Sequence, residues 1–361
     1  MTVAAGCDPA RFCHDVTFLR QPADLAAELR AAGCTVRGLP GTLPWSLPAL
    51  ARRLRVARPD VVQTWQFEAD VIGRMLSPLT GRVPIVVSLQ LPSYDPRVIE
   101  VAGWPAASVK RRKAIERFTM RVAKPYFVAC SEFVARSARI DLGIPPDRIE
   151  TIPNAVDLEA VAAGADARTS VRRSLSIADD ALLYLNVGRL DPQKNQRRLI
   201  EAFAMLESQP EPVLAIAGTG PLERDLRGAA ARLGVADRVR FLGPREDVPA
   251  LLAAADVFAF PSLFEGLGVA LLEAMGAGLS CVVSQAEAFD DLITDSVTGL
   301  RVAADVTGAI HAALAALAED PELRLRTGEA ARAVIRAEYD SSRTLPRWEA
   351  VYERAVTASF G

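Results

Sequence analysis

Twelve short apolar runs, separated by amphipathic helical stretches, constrain this chain more than any other feature of its sequence. The runs cover residues 14–19, 35–39, 60–65, 85–89, 126–130 and 148–152 in the first half. In the second half they cover 181–188, 212–217, 238–242, 256–260, 280–284 and 299–302. They are rich in Val, Ile and Leu and continuous rather than alternating, as strands are when helices cover both faces. Helical stretches between them include 22–32, 109–123, 195–208, 221–233 and 267–277. Strand and helix in alternation predict an α/β chain with two successive doubly wound parallel sheets. A length of 361 residues agrees, being more than one hydrophobic core usually supports. The weakly patterned stretch 157–180, with Gly164 and many small residues, reads as a linker between domains at 1–156 and 181–361.

Composition then removes several classes of function. Half the residues are hydrophobic and 24% are charged, as in a globular protein. No apolar run reaches the roughly 18 residues that span a bilayer, and residues 1–20 lack the apolar core of a signal peptide. Cys7, Cys13, Cys34, Cys130 and Cys281 are odd in number and scattered. They point to a reducing, cytoplasmic setting rather than a disulfide framework. With only His14 and His311, neither a zinc site nor a histidine-based triad has material to build on, and no metal is expected. The charge is uneven. Residues 1–155 hold 21 Lys/Arg against 14 Asp/Glu, a balance of +7, and the remainder hold 21 against 30, a balance of −9. A basic first half suits anionic partners, although no nucleic acid is expected among them.

In open parallel sheets ligands bind beyond the carboxyl ends of the strands, and three loops there carry chemistry. The first, from Asn186 through Gly188 to Asn195, brings Arg189 and Lys194 between a buried strand and a helix start. Two such cations suit a diphosphate, or else are solvated surface charges. The second, Ala217-Gly218-Thr219-Gly220-Pro221, lacks the third glycine of a dinucleotide fingerprint, so its simpler role is a tight turn that leaves room for a ligand. The third runs from Phe260 to Met275. Gly266, Leu267 and Gly268 would offer backbone N–H groups at a helix start, where phosphate is favoured. Glu265 lies in that loop, and Glu273 sits amid Leu271, Leu272, Ala274 and Met275. A carboxylate there needs donors: either the vicinal hydroxyls of a ribose or a neighbouring Arg.

These residues carry a resemblance. Phe260-Pro-Ser-Leu-Phe-Glu-Gly-Leu-Gly, followed by Leu-Leu-Glu-Ala-Met-Gly-Ala-Gly, resembles the Glu-x7-Glu signature of family-4 retaining glycosyltransferases. Val187-Gly-Arg-Leu with Lys194-Asn, Ala217-Gly-Thr-Gly-Pro, Phe241-Leu-Gly and Ala255-Asp-Val fall at that family's spacings. Arg58-Pro-Asp-Val-Val-Gln-Thr-Trp, Val128-Ala-Cys-Ser and Ile152-Pro-Asn-Ala-Val-Asp resemble its first-domain landmarks. The resemblance implies the GT-B architecture, two facing Rossmann-like domains with a nucleotide diphosphate sugar held mainly by the second. It implies transfer to a glycan or lipid-linked acceptor with retention of configuration, in cell-surface polysaccharide or glycoconjugate synthesis. Arg189 and Lys194 would hold the donor diphosphate in place of a metal ion, consistent with the lack of an Asp-x-Asp motif. Glu265 would contact the donor sugar, Glu273 the ribose, and Gly188, Gly218, Gly266, Leu267 and Gly268 would line the donor site. No separate cofactor is implied. Related enzymes often carry a histidine near the reacting sugar, where this chain has Gln90, so no catalytic histidine is assigned. The rival readings are a nucleotide-sugar epimerase of the same fold and a catalytically silent nucleotide-binding homologue.

Two further features stand apart. From Lys110 to Lys124 the chain carries seven positive charges against one negative, with Ile115, Phe118 and Val122 on one helical face. Such a helix either docks on an anionic membrane or covers the first sheet with a solvated outer face, the commoner outcome for the pattern. At the start of the chain, 13 residues precede the first run, too few for the strand, glycine-rich loop and long helix with which family members usually open. The expectation is a chain lacking that first unit, with exposed strand edges and crippled transfer.

Overall fold

The structure, a computed structural model, describes residues 6–19, 25–39, 45–207 and 210–357. Residues 22–24 and 208, which the expected helices included, lie outside the described residues, as do 1–5. By internal contacts the chain forms two units, 1–154 with 341–361, and 155–340.

In the first unit the order is β1 (Asp15–Phe18), α1 (Leu25–Ala31), β2 (Thr35–Gly38), α2 (Leu47–Ala57), β3 (Val62–Trp65), α3 (Phe67–Leu76), β4 (Ile85–Leu89), α4 (Pro96–Ala102), α5 (Ala106–Ala123), β5 (Tyr126–Ala129), α6 (Glu132–Leu142) and β6 (Ile149–Thr151). All six strands lie where the apolar runs predict. The single sheet expected for this half is instead two pieces among the described residues, β1-β2 and β3-β4-β5-β6, each parallel. Each piece has its own core. Ala26, Leu29, Cys34 and Val36 pack beside β1-β2. Val86, Val128 and Ile152 of the larger piece pack against Trp348, Val351 and Tyr352 of the last helix, Ser341–Thr357. That helix is held at its rim by Arg347 and Arg354 on Glu150.

The second unit continues with α7 (Leu158–Ala163), α8 (Arg168–Ser174), β7 (Leu183–Val187), α9 (Gln196–Ala204), β8 (Val213–Ala217), α10 (Glu223–Arg232), β9 (Val239–Gly243), α11 (Val248–Ala254), β10 (Val257–Phe260), α12 (Val269–Ala277), β11 (Ser280–Ser284), β12 (Leu300–Val302), α13 (Thr307–Glu319) and α14 (Pro321–Val334). Its six parallel strands run β12-β11-β10-β7-β8-β9. The chain builds outward from β7 to β9, then returns to the other side of β7 to lay down β10 to β12. Strands β8, β10 and β11 are buried along their whole length, which is why their sequences do not alternate.

Residues 157–180, read from sequence as a linker, are part of this unit. Helix α8 is tied to the sheet by guanidinium groups rather than by a broad apolar stripe, so its periodicity is weak. Arg172, 1% exposed, donates to the carbonyls of Ala178, Ala181 and Ala254 and faces Asp256 at 3.3 Å. Arg168 pairs with the other oxygen of Asp256 at 2.7 Å, and Leu183 N–H donates to Oδ2 at 2.7 Å. One carboxylate thus joins α8 to the first residues of β7 and β10. Replacing Arg172 with Met would strand several buried acceptors, and we expect a loss of about 3–5 kcal/mol in chemical denaturation. A loss under about 1 kcal/mol would show that α8 is held by something else.

Candidate functional site

Strand order reverses between β7 and β10, so the loops leaving their carboxyl ends flank a crevice. Residues 188–195 leave β7 and residues 261–268 leave β10. Main-chain and amide contacts lace the two together. Leu263 N–H donates to Gln193 O at 2.8 Å, and the Gln193 amide donates to Phe264 O at 3.0 Å. Asn195, whose φ of 57° is left-handed, donates its amide to Pro261 O and to Ala304 O. Beneath them the fully buried Asn186 donates to Ala259 O, while Gln196 donates to Arg189 O and fixes the turn.

Within this frame Lys194 Nζ lies 2.6 Å from Glu265 Oε1, and both side chains are largely shielded from water. The ammonium also stands 4.7 Å from the centroid of the Phe260 ring. Phe260 stacks on Phe258 and leans on Phe289, so the floor under Lys194 is rigid. Two glycines make the arrangement fit. A Cβ on Gly268 would come 2.7 Å from Phe260, and one on Gly218 (φ +136°) would collide with Gly188 O. Gly218 therefore packs the β8 loop against the β7 loop, and Gly188 N–H bonds to Ala217 O across the same seam. On Gly188 itself, a Cβ would press on the Lys194 stem at 3.3 Å.

Arg189 is placed differently from Lys194. Its side chain is 73% exposed and pairs with Asp191 Oδ2 through Nη2 at 2.6 Å and Nε at 2.7 Å. The two cations expected as one clamp are thus apart in environment, one buried on a carboxylate and one facing solvent on a short tether. Asp191 is itself buried, so an anion that drew Arg189 away would leave that carboxylate in need of another donor.

Gly266, Leu267 and Gly268 are buried, and Gly268, which has no side chain, caps α12 without a side-chain cap hydrogen bond among the described residues. Val269, the first helical residue, is 44% exposed, so α12 begins at the edge of the buried loop. Glu273 lies one turn further on. Burial alone pushes its carboxyl above the ordinary glutamate range, and no Arg or Lys pairs with it among the described residues. Of the two partners considered from sequence, the neighbouring Arg is therefore absent there.

Sequence reasoning missed Asp191, Asn195, Gln196 and Ser262. Ser262 Oγ and Asp191 Oδ1 are buried with no partner among the described residues, beside the Lys194–Glu265 pair in sequence and on the same two loops. Their signal was polar residues at a strand's carboxyl end, a pattern too common to single out. In the first unit, the basic helix α5 turns Arg112 and Lys113 inward, the latter to Asp141 at 2.7 Å. Its outer face keeps Lys110, Arg111, Arg117 and Arg121 beside Phe118, 59% exposed, and Val122. Ile115 is half-buried rather than part of that face.

Comparison with known proteins identifies the family and the fold. The model of glycosyl transferases group 1 matches residues 167–334, and that of glycosyltransferase family 4 matches residues 3–160. The UDP-Gal:alpha-D-GlcNAc-diphosphoundecaprenol alpha-1,3-galactosyltransferase of Escherichia coli is 30% identical over 290 residues, 78% of this chain and 72% of that protein. A GDP-mannose-dependent alpha-(1-6)-phosphatidylinositol monomannoside mannosyltransferase of Mycolicibacterium smegmatis is 29% identical over 308 residues, 81% of this chain and 77% of that one. Among solved structures, HepE of Anabaena in complex with UDP-glucose has a TM-score of 0.83 at 20% identity, covering 98% of this chain and 94% of its own. WaaG, a glycosyltransferase involved in lipopolysaccharide biosynthesis, has a TM-score of 0.78 at 19% identity, covering 98% and 94%. The chain belongs to glycosyltransferase family 4 and has the α/β GT-B fold.

Proposed function

We propose that this glycosyltransferase moves a sugar from a nucleotide diphosphate sugar to a glycan or lipid-linked acceptor, with retention of configuration and without a resident metal ion. The observation that carries the reading is the shielded Lys194–Glu265 pair at the switch-point crevice, with the tethered Arg189 beside it. A donor diphosphate would draw Lys194 and Arg189 from their carboxylates and sit against the N-terminus of α12. Those charges would stabilise the negative charge that grows as the bond from sugar C1 to the diphosphate breaks. Glu265, released from Lys194, would accept hydrogen bonds from the donor sugar's hydroxyls. The acceptor hydroxyl would bond to C1 and give its proton to a departing phosphate oxygen, so no protein base is required. The lipid-linked sugars in the names of the two relatives above support that acceptor class and a place in cell-surface glycoconjugate synthesis. Incubation with UDP-, GDP- and ADP-sugars and an acceptor mixture, followed by mass spectrometry, tests the reaction. Recovery of free nucleotide without a glycosylated product would overturn it.

Calorimetry with UDP, GDP and ADP tests the donor cations. Lys194→Ala should weaken binding of the preferred nucleotide by about 1.5–3 kcal/mol, and the more exposed Arg189→Ala by less, with the parent unaffected by a chelator. If both variants bind every nucleotide as tightly as the parent, the assignment is wrong.

The pH dependence of that affinity tests Glu273. Its carboxyl titrates above the ordinary value in the free protein because burial disfavours the charge. Ribose hydroxyls would stabilise the carboxylate and lower that pKa in the complex. Affinity should therefore rise with pH through the free protein's titration and then level off, and Glu273→Gln should remove the rise. A profile unchanged by this substitution would exclude Glu273 from the ribose site.

The outer face of α5 supports a contact with anionic membrane: four cations around the exposed Phe118 match a negatively charged lipid surface. Sedimentation with anionic vesicles should pull down the parent, and Phe118→Ser/Arg121→Gln much less. Equal sedimentation with neutral vesicles would remove this reading.

A further inference from the structure

A cavity of about 420 Å³ in the first unit, lined by Phe67, Trp104, Ser108, Arg111, Arg112 and Ile115, takes no part in the site described above. Its position follows from topology. Phe67 opens α3 two residues after β3 ends, Trp104 lies between α4 and α5, and the other four residues occupy the first three turns of α5. Helix α5 leads into β5, so its start lies toward the carboxyl ends of the β3–β6 strands, where parallel sheets bind ligands.

Two features give the cavity a chemical preference. The Arg112 guanidinium lies 3.7 Å from the Phe67 ring centroid and 4.5 Å from that of Trp104. Contact with both rings fixes its place, and its Nε has no hydrogen-bond partner among the described residues. Neighbouring cations are already neutralised, Arg74 by Glu116 at 2.6 Å and Lys113 by Asp141 at 2.7 Å. Arg111 and Arg112 form no ion pair among the described residues. Two adjacent guanidiniums and the Ser108 hydroxyl suit the oxygens of a phosphate, whereas the aromatic wall suits the apolar face of a sugar ring.

We propose that this cavity binds the phosphate-bearing end of the acceptor, a sugar joined through its anomeric oxygen to phosphate or diphosphate. The proposal rests on the glycosyl-transfer reading. The donor's own diphosphate is accounted for by the cations of the second unit, which leaves the anion here to the other substrate.

The test uses glucose 1-phosphate, glucose and inorganic phosphate as soluble probes, without vesicles, in calorimetry of the full chain. Glucose 1-phosphate should bind saturably and more tightly than either fragment. Arg111→Gln should weaken it about tenfold or more, whereas Lys194→Ala should not. Arg111 is exposed and makes no ion pair among the described residues, so this variant keeps its fold even where Arg112→Gln fails to. Trp104→Ala should erase the preference for the sugar phosphate over inorganic phosphate. Absence of saturable binding, equal binding by Arg111→Gln, or sensitivity to Lys194→Ala would each overturn the proposal. A parent that binds glucose 1-phosphate in this cavity but transfers no sugar would instead overturn the glycosyl-transfer reading.

Discussion

An ammonium and a carboxylate held 2.6 Å apart, both largely out of water, impose a constraint that the surrounding loops must satisfy. Withdrawing two charges from solvent costs several kcal/mol each, and only close pairing with good geometry offsets it. The Lys194–Glu265 pair therefore obliges the loops after β7 and β10 to keep fixed positions. Phe260 supplies the floor, Gly268 gives that ring its space, Gly188 clears the lysine stem, and Gln193 and Asn195 lace one loop to the other. Such a site is organised before any ligand arrives. An incoming diphosphate has only to exchange partners with Lys194, and the energy of rebuilding the loops does not enter.

The two units use charge differently. In the second, acidic unit the buried cations each have a carboxylate: Lys194 has Glu265, and Arg172 has Asp256. In the first unit Arg74 has Glu116, yet Arg111 and Arg112 stand beside an aromatic-walled cavity with no counter-ion among the described residues. A site that holds its cation on an internal carboxylate suits a ligand that also brings hydroxyls for that carboxylate to bind. One that leaves guanidiniums unpaired suits a ligand whose main feature is negative charge. A nucleotide sugar and a phosphate-linked acceptor divide along this line.

Much of the fold was legible because burial on both faces leaves a plain trace. Every strand lies within a residue or so of an apolar run, and the loops at Gly188–Asn195 and Phe260–Gly268 follow directly. What escaped was polar. Helix α8 is fastened by Arg168 and Arg172 chiefly to the Ala254 carbonyl and to Asp256, partners 80 or more residues away, so its sequence looks like a linker. Arg189 and Lys194 look alike in sequence, but one stays mostly exposed on the buried carboxylate of Asp191 and the other is drawn under Glu265. The break between β1-β2 and β3–β6 is likewise a matter of hydrogen-bond pairing, which apolar patterning does not encode.

A crystal structure with a bound nucleotide diphosphate sugar tests the central claim most directly. The account predicts Lys194 Nζ within hydrogen-bond distance of a diphosphate oxygen, the Glu265 carboxylate on a sugar hydroxyl, and the two residues drawn apart from their 2.6 Å contact. A diphosphate seated elsewhere, with the Lys194–Glu265 pair unbroken, would contradict it.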